Sequence, residues 1–373
     1  MKIKLKMILI VIASIIGALA LSVFLFIKMS PQFGATKNEI KTEQVLASEN
    51  FTNGVFENKE ATTVMLEFKF SSLKEYFKKE GKAPTGEIPV HKLQKSHFES
   101  KDTATKFTWF GHSAVLLETE GKKIFIDPML GDVPAPVSFL GPKRYNPELP
   151  MSADSLPELD IVLISHDHYD HLDYESIKKL KDKTKLFITP LGVGAHLRSW
   201  GVQSEKIIEL DWWESTIVDS MNIAVTPSRH FSGRGISDRN TTQWCSFVIQ
   251  TNNKNIYFSG DGGYGTHFKE IGDKYGPFDI CFLECGQYNK QWAQIHMMPE
   301  EVIDANTDLR GKHIVPIHWG AFTLALHAWT EPVDRLLQSA EGKNVSIVTP
   351  EIGKTTSIKD EISTKYWWLD LKN

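Results

Sequence analysis

The sequence "ISHDHYDHLDY", residues 164–174, follows directly on the apolar run "DIVL", residues 160–163. It places three histidines and three aspartates within eleven residues. Carboxylates this close repel one another, and imidazoles beside them are costly to bury unless a positive charge lies among them. The stretch therefore predicts metal ligands at the end of a buried strand.

The spacing within this stretch supports metal binding. His166 and His168 lie two positions apart at a strand end, so their side chains can converge once the chain leaves regular pairing. Asp170 and His171 follow in the next turn. Imidazole and carboxylate groups suit zinc and similar borderline metals. A four-coordinate metal needs further ligands, which later segments of the chain should supply.

Three later segments also end an apolar run on a ligand-type residue. They are "IAVTPSRH", which ends at His230, "IYFSGD", which ends at Asp261, and "IVPIH", which ends at His318. Loops at strand ends are where rigid scaffolds carry chemistry. We therefore expect a dinuclear metal site on one rim of the core. Its candidate ligands are His166, His168, Asp170, His171, His230, Asp261 and His318.

The overall composition is that of an ordinary globular protein. Its 373 residues are 41% apolar and 24% charged, with a net charge of −4. A general nucleic-acid-binding protein would show a basic surplus, so we expect no nucleic-acid partner. The three cysteines, Cys245, Cys281 and Cys285, have no CxxC spacing, and their odd number does not suggest a disulfide framework. We expect them to be small buried thiols in strands.

The first 28 residues predict a membrane segment. "MILIVIASIIGALALSVFLFI", residues 7–27, is a run of 21 residues without a charge. At about 1.5 Å per residue, a helix of this length spans the hydrocarbon core of a bilayer. We predict an uncleaved anchor over residues 1–28, with a cleaved signal peptide as the alternative. Lysines 2, 4 and 6 precede the run, so the positive-inside rule places the catalytic part of this single-pass protein outside the cytoplasm.

The rest of the chain divides into two regions by pattern. Residues 29–100 are polar, Lys-rich and weakly patterned, with a short helix predicted over 71–79. In residues 101–373, short strands, several in adjacent hairpins, alternate with fewer helices. This arrangement predicts an α/β domain in which two sheets lie between layers of helices, rather than a doubly wound parallel sheet.

The motif "HDHYDH", residues 166–171, resembles the signature of the metallo-β-lactamase fold superfamily. The later residues His230, Asp261 and His318 match further motifs of that superfamily in order. The resemblance implies a four-layer αβ/βα sandwich with two zinc ions at one edge. It assigns one zinc to His166, His168 and His230 and the other to Asp170, His171 and His318. Asp261 would bridge the two ions, with a hydroxide as the second bridge.

Further motifs resemble one branch of that superfamily. "WFGHSAVLLE", "GPKRYNP", "PSRHFSGRG" and "IHWGAF" are similar to the branch that contains N-acylphosphatidylethanolamine-hydrolysing phospholipase D and many bacterial membrane proteins. The resemblance implies hydrolysis of a lipid phosphodiester, with a phospholipid or a small phosphodiester as substrate. A lactonase or other ester hydrolase of the same fold is the alternative. A non-catalytic metal-binding module of the cell envelope is a third possibility, and the oligomeric state stays open.

Several residues outside the ligand set are candidates for the reaction. With the metal ligands Asp170 and Asp261, we predict His296 as a catalytic residue, because the related phospholipase uses this segment near its substrate. Three of only seven arginines, Arg229, Arg234 and Arg239, lie around His230. An arginine fork matches phosphate bidentately, so we expect phosphate contact from Arg229 or Arg234, with pairing to local acids as the alternative. His112 is a weaker candidate, for substrate binding or for support of a metal ligand.

The loop "APVSFLGPKRYNP", residues 135–147, has an apolar tip beside basic residues. Val137, Phe139 and Leu140 lie close in sequence to Lys143 and Arg144. Such a tip can enter a lipid interface. The alternative is a loop that packs on its own domain.

Overall fold

Two seven-stranded sheets dominate the structure, a computed structural model that describes residues 2–65, 81–99, 103–139, 141–359, 361–362 and 364–371. The helix predicted over residues 71–79 lies outside the described residues. In chain order the strands are β1 (Phe51–Thr52), β2 (Val55–Phe56), β3 (Lys106–Trp109), β4 (Val115–Thr119), β5 (Lys122–Ile126), β6 (Leu159–Leu163), β7 (Thr184–Pro190), β8 (Ile207–Leu210), β9 (Ser215–Val218), β10 (Met221–Thr226), β11 (Ser246–Gln250), β12 (Asn255–Phe258), β13 (Ile280–Glu284), β14 (His313–Ile317), β15 (Ser346–Ile347) and β16 (Thr355–Ser357).

The helices are fewer than the strands in the described part of the chain. In chain order the α-helices are α1 (Lys2–Met29), α2 (Lys37–Ile40), α3 (Glu43–Ala47), α4 (Tyr174–Leu180), α5 (Val193–Ser199), α6 (His267–Tyr275), α7 (Pro299–Leu309) and α8 (Glu331–Ala340). Short 3-10 helices span Pro31–Phe33, Lys95–Glu99, Ser204–Lys206 and Leu369–Leu371. The side chain of Asp173 caps α4 by accepting a hydrogen bond from Ser176 N.

Each sheet joins an antiparallel half to a parallel half. The first sheet has the order β16-β3-β4-β5-β6-β7-β8 and is parallel from β5 to β8. The second has the order β15-β14-β13-β12-β11-β10-β9 and is parallel from β12 to β15. Parallel strands end at the same edge of a sheet, so the loops after β5, β6, β12, β13 and β14 are placed to converge.

The two sheets pack face to face over the main core. Phe107 of β3 and Phe282 of β13 meet across this core with ring centroids 5.0 Å apart. Helices α4 and α5 cover the outer face of the first sheet, and α6, α7 and α8 cover the outer face of the second. The predicted sandwich of two sheets between layers of helices is confirmed. The three cysteines are free and buried, as expected, although of the three only Cys281 lies within a strand, since Cys245 precedes β11 and Cys285 follows β13.

The described part of the polar extension packs on the sandwich. Ile40, Val45 and Phe56 are fully buried, although apolar residues are sparse in this region of the sequence. Trp200 Nε1 donates a hydrogen bond of 2.6 Å to Pro31 O. A few apolar side chains at suitable positions are enough to dock a polar segment, because each buried one contributes about 1.5–3 kcal/mol. The described part of the extension therefore packs on the domain that follows it.

Helix α1 is the one candidate membrane span among the described residues. It is long and apolar enough to cross a bilayer, although a signal sequence passes the same test. None of its candidate span is buried against the rest of the chain. Its exposed apolar surface suits a lipid environment.

The loop at residues 135–147 differs in part from the sequence-based expectation. Phe139 at its tip is 82% exposed, whereas Leu140 lies outside the described residues. Arg144 is buried, donates to the carbonyls of Met129 and Gly131, and lies over the Phe322 ring. Arg144 therefore does not serve as a basic neighbour of the tip. Its guanidinium instead satisfies carbonyls that turn away from sheet pairing after β5.

Candidate metal centre

The seven predicted ligands meet at one edge of the sandwich. His166, His168, Asp170 and His171 follow β6, and the other three follow β10, β12 and β14. Strand β10 is antiparallel to β11, which is antiparallel to β12, so β10 and β12 end at the same edge. The sheet topology therefore delivers all seven side chains to one place.

The first group of donors contains three histidines. His168 Nδ1 lies 2.9 Å from His166 Nε2 and 3.1 Å from His230 Nε2. Burial lowers the pKa of His166 and His230 well below its ordinary value, and that of His168 to about 4. The rings are therefore neutral near pH 7, which is the form that binds metals.

The second group combines Asp170, His171 and His318. Asp170 Oδ2 lies 3.6 Å from His171 Nε2 and 3.9 Å from His318 Nε2. Donor atoms this far apart can share one ion, since each would lie about 2.0–2.2 Å from zinc. The second group therefore lies beside the first as a separate cluster of nitrogen and oxygen donors.

Asp261 connects the two groups. Its Oδ2 atom lies 3.1 Å from His171 Nε2 and 3.8 Å from His166 Nε2, and its Oδ1 atom lies 3.2 Å from His318 Nδ1. Burial raises the pKa of Asp261 to about 7, and Oδ1 has no hydrogen-bond donor among the described residues. A buried carboxylate oxygen without a donor is costly, and a cation would satisfy it. The donor set thus fits two divalent ions that share Asp261.

Asp127 supports the second group and was not among the predicted site residues. It ends the apolar run of β5, and its Oδ2 atom lies 2.7 Å from His171 Nδ1. The same carboxylate accepts hydrogen bonds from Ser165 N and Ser165 Oγ. These contacts fix the His171 ring with Nε2 toward the metal edge, as outer partners of metal ligands do. The sequence signal is the one that identified the ligands, an acidic residue directly after a buried strand.

His112 occupies a supporting position beside a predicted metal ligand. Its side chain is fully buried, and Nε2 lies 2.8 Å from Asp170 Oδ2. A fully buried ring in this position favours support of Asp170, and the predicted substrate-binding role stays a prediction. Its alternative role, support of a metal ligand, matches this geometry because the contact orients the Asp170 carboxylate.

Arg229 does not face the metal edge. Its guanidinium donates to Thr62 Oγ1 at 3.0 Å, Ala61 O at 2.9 Å and Tyr264 O at 3.1 Å. These contacts hold residues 58–65, which we call the strap, against the loop that carries His230. Asn58 also belongs to the strap, and it donates from Nδ2 to His230 O and accepts from His230 N. These contacts indicate a role of Arg229 in positioning the strap, and its predicted phosphate contact stays a prediction.

The guanidinium of Arg234 also binds groups within the chain. It is 3% exposed and donates to the carbonyls of Asp167, Leu172 and Gln32. Its guanidinium also lies over the Tyr169 ring. Arg239 lies over the Phe231 ring. Carbonyl groups with no sheet partner occupy the donors of Arg234, which supports an internal role, and its predicted phosphate contact stays a prediction.

His296 lies at the metal edge, where its predicted catalytic role requires it. Its ring centroid is 5.0 Å from that of His230 and 5.4 Å from that of His318. Its Nδ1 atom lies 2.5 Å from Glu284 Oε1, and Glu284 Oε2 accepts a hydrogen bond from Gly262 N. Glu284 ends β13, is fully buried, and was not among the predicted site residues. Burial raises the pKa of Glu284 well above its ordinary value.

A cavity of ≈ 270 Å³ opens from the donor cluster. Its polar wall consists of His168, Asp170, Asp261, Gln287, His296 and His318. Its apolar wall consists of Val64, Met65, Phe231, Trp292, Ile295 and Leu324. The strap supplies the first two of these apolar residues. The cavity can therefore hold a molecule whose reacting group is polar and whose remainder is apolar.

Comparison with known proteins identifies the family. Residues 122–319 match the model of the beta-lactamase superfamily domain. The chain belongs to the metallo-β-lactamase superfamily. A relative in Caenorhabditis elegans, N-acyl-phosphatidylethanolamine-hydrolyzing phospholipase D 1, is 34% identical over 291 residues, which cover 73% of this chain and 81% of that protein. The chain therefore lies in the branch that contains this phospholipase.

Two further proteins extend the metallo-β-lactamase comparison. An uncharacterized protein of Mycobacterium tuberculosis is 45% identical over 265 residues, which cover 70% of this chain and 71% of that protein. The solved structure of isothiocyanate hydrolase from Delia radicum gut bacteria aligns with a TM-score of 0.54 at 25% identity, over 68% of this chain and 98% of that chain. The metallo-β-lactamase fold expected from the sequence is confirmed.

Proposed function

We propose that this protein is a membrane-anchored dizinc phosphodiesterase of the phospholipase D type that hydrolyses N-acylphosphatidylethanolamine-like lipids. Water would add to phosphorus, and the bond from phosphorus to the head-group oxygen would break. The products are phosphatidic acid and an N-acylethanolamine. The observation that carries the proposal is the cavity, which places apolar walls beside a donor cluster suited to two metal ions.

The substrate class follows from the shape and chemistry of this cavity. A lipid phosphodiester presents an anionic phosphate flanked by apolar chains. Its phosphate would lie at the polar wall, near Asp170 and His296, and its chains would lie along Met65, Trp292 and Leu324. The relationship to N-acyl-phosphatidylethanolamine-hydrolyzing phospholipase D supports this choice.

Different residues of the chain would have different roles in the reaction. Two divalent ions, when bound, would activate water and neutralise negative charge on the substrate. His166, His168 and His230 would hold one ion, and Asp170, His171 and His318 the other. Asp261 would be shared between them. His296 would donate to the departing oxygen, and Glu284 would hold the His296 ring in the orientation that this transfer needs.

The anchor and its orientation belong to the same proposal. Helix α1 has the length and composition of a membrane span, and Lys4 and Lys6 lie in its first part. The positive-inside rule then places the metal edge outside the cytoplasm. N-terminal sequencing of the mature protein tests the anchor, since a start beyond Ile27 would identify a cleaved signal peptide. Proteolysis of residues 101–373 in intact cells tests the orientation, and their complete protection would contradict it.

The decisive experiment compares substrates on the full chain reconstituted with zinc. We expect zinc-dependent release of phosphatidic acid from N-acylphosphatidylethanolamine, measured by mass spectrometry, and no release by Asp261→Asn. An N-acylhomoserine lactone and a β-lactam serve as parallel substrates. Turnover of the lactone without the phosphodiester would identify an ester hydrolase. Stoichiometric zinc binding without turnover of any substrate would favour a non-catalytic envelope module.

A further inference from the structure

The C-terminal end of α1 is fixed to the catalytic domain. Phe26, in the last turns of α1, packs edge-to-face on Phe33 with ring centroids 5.8 Å apart. Arg234 donates from Nε at 3.0 Å and from Nη2 at 2.7 Å to Gln32 O. Ala35 N donates to the buried His196 Nδ1 at 2.9 Å. The end of α1 therefore has a defined position on the domain.

A depression of ≈ 400 Å³ adjoins this helix end. Phe26 and Gln32 line it together with the loop at residues 133–139, and the acidic residues Asp132, Asp173 and Glu175 line it as well. The loop contributes Val133, Ala135, Pro136, Val137, Ser138 and Phe139. Apolar side chains of α1 and of a loop more than 100 positions away in the sequence thus line one depression.

Two exposed apolar side chains lie on loops that border this depression. Outside α1, Ile236 at 88% and Phe139 at 82% are the most exposed large apolar residues that the structure describes. Ile236 follows Arg234, whose guanidinium holds the segment after α1, and Phe139 borders the depression beside Phe26. Large apolar side chains left exposed beside such a depression are typical of an interaction surface. At the end of a membrane helix, the partner that fits this surface is the bilayer.

The loop that carries the metal ligands lies between this depression and the catalytic cavity. Tyr169 lines the depression, whereas its neighbours His168 and Asp170 line the catalytic cavity. Tyr169 is held in place because its hydroxyl donates to Arg234 O at 2.7 Å. The metal edge and the end of α1 therefore share one side of the domain.

We propose that the loops at residues 133–139 and 232–239 insert Phe139 and Ile236 into the lipid interface and so hold the metal edge toward the bilayer. This inference rests on the proposed membrane anchor and on no particular substrate. This orientation of the metal edge shortens the route of a lipid substrate, because a molecule in the outer leaflet would reach the cavity without crossing bulk water. Burial of the two side chains in the interface also removes their contact with water, which is favourable.

Single labelled cysteines test this face in the full chain reconstituted in nanodiscs. Phe139→Cys and Ile236→Cys are labelled with an environment-sensitive maleimide dye. The three native thiols are buried, so the dye should label only the introduced cysteine, and wild type treated with the same dye gives the background signal. The matched control is Ile217→Cys, which is 74% exposed on the edge strand β9. Its position is at the opposite rim, since Ser220 just beyond β9 donates to Glu120 in the turn between β4 and β5.

We expect spin-labelled lipids to quench the dye at positions 139 and 236 at least threefold more strongly than at position 217. Equal quenching at all three positions, or none at 139 and 236, would overturn the proposed bilayer contact. The measurement requires no turnover, so it is independent of the proposed reaction. A second readout uses Phe139→Ser combined with Ile236→Ser, which should lower kcat/KM on vesicle-bound substrate several-fold and leave hydrolysis of a soluble short-chain substrate unchanged.

Discussion

His296 Nδ1 lies 2.5 Å from Glu284 Oε1 at the edge of the metal centre. Glu284 is fully buried at the end of β13, and its other oxygen accepts from Gly262 N. The contact occupies one ring nitrogen of His296 and leaves Nε2 as the atom that can serve the substrate. Glu284 therefore acts as a positioning residue for the predicted catalytic histidine.

The Glu284→Gln variant tests this positioning role. We expect kcat to fall roughly 10- to 100-fold with little change in KM or metal content, because partners that orient a site residue typically contribute that much. Steady-state kinetics and metal analysis on the same preparation measure both quantities. The matched control is Glu300→Gln, an exposed carboxylate that pairs with Arg335 outside the cavity. An unchanged kcat in Glu284→Gln would show that His296 needs no partner.

The Asp170→Asn variant tests the second group of donors. The substitution removes one charge and little volume, so we expect the fold to persist while turnover is lost. Metal content should fall from about two ions per chain to about one. Inductively coupled plasma mass spectrometry and circular dichroism check these outcomes. Near-normal turnover of the metal-replete variant would exclude a catalytic need for this group.

The Arg229→Lys variant distinguishes strap positioning from phosphate recognition. Lysine keeps the positive charge but cannot reach Thr62, Ala61 and Tyr264 together. Hydrogen bonds to charged groups contribute about 1.5–3 kcal/mol, so the strap should loosen. We expect similar losses on a phosphodiester and on any neutral ester that the enzyme turns over. A loss confined to the phosphodiester would favour the phosphate contact first predicted from the sequence.

The Met65→Ser variant tests the contribution of the strap to specificity. Met65 lines the cavity and is 58% exposed, so a long acyl chain could cover it. We expect KM for long-chain substrates to rise roughly five- to thirty-fold, which corresponds to about 1–2 kcal/mol of lost apolar contact. KM for a short-chain analogue should not change. Leu46→Ser, at a 59% exposed position outside the cavity, is the control.

Removal of the metals should lower the stability of the domain. Without metal ions, the carboxylates of Asp170 and Asp261 lose the cations that would compensate their largely buried charge, which is unfavourable. Zinc at a hundredfold excess over its Kd contributes about 2.7 kcal/mol per site, so we expect chelation to lower Tm by roughly 5–10 °C. Differential scanning fluorimetry with and without chelator measures this, and added zinc should restore Tm. An unchanged Tm would indicate that the site holds no ion under these conditions.

The sequence alone determined the fold class, the candidate membrane helix and the position of the seven donor residues. Each of these depends on a local pattern. An apolar run followed by His166 or Asp261 indicates both that a strand is buried and where it ends. Loops that begin at strand ends can bring ligand residues together. Their assignment to two zinc ions stays a prediction, although the structure brings all seven residues to one edge.

The tertiary structure alone decided which partner each polar side chain has. Arg229 is 168 positions from Ala61, and His112 is 58 positions from Asp170. A local sequence pattern cannot identify partners that are this far apart in the chain, because the partner of a guanidinium or an imidazole depends on which loops pack beside it. The composition around Arg229 and Arg234 predicted anion binding, yet nearby carbonyl groups without sheet partners occupy both guanidiniums. A hydrogen-bonding group is used where the packed chain leaves a partner unsatisfied, and only the folded structure shows that place.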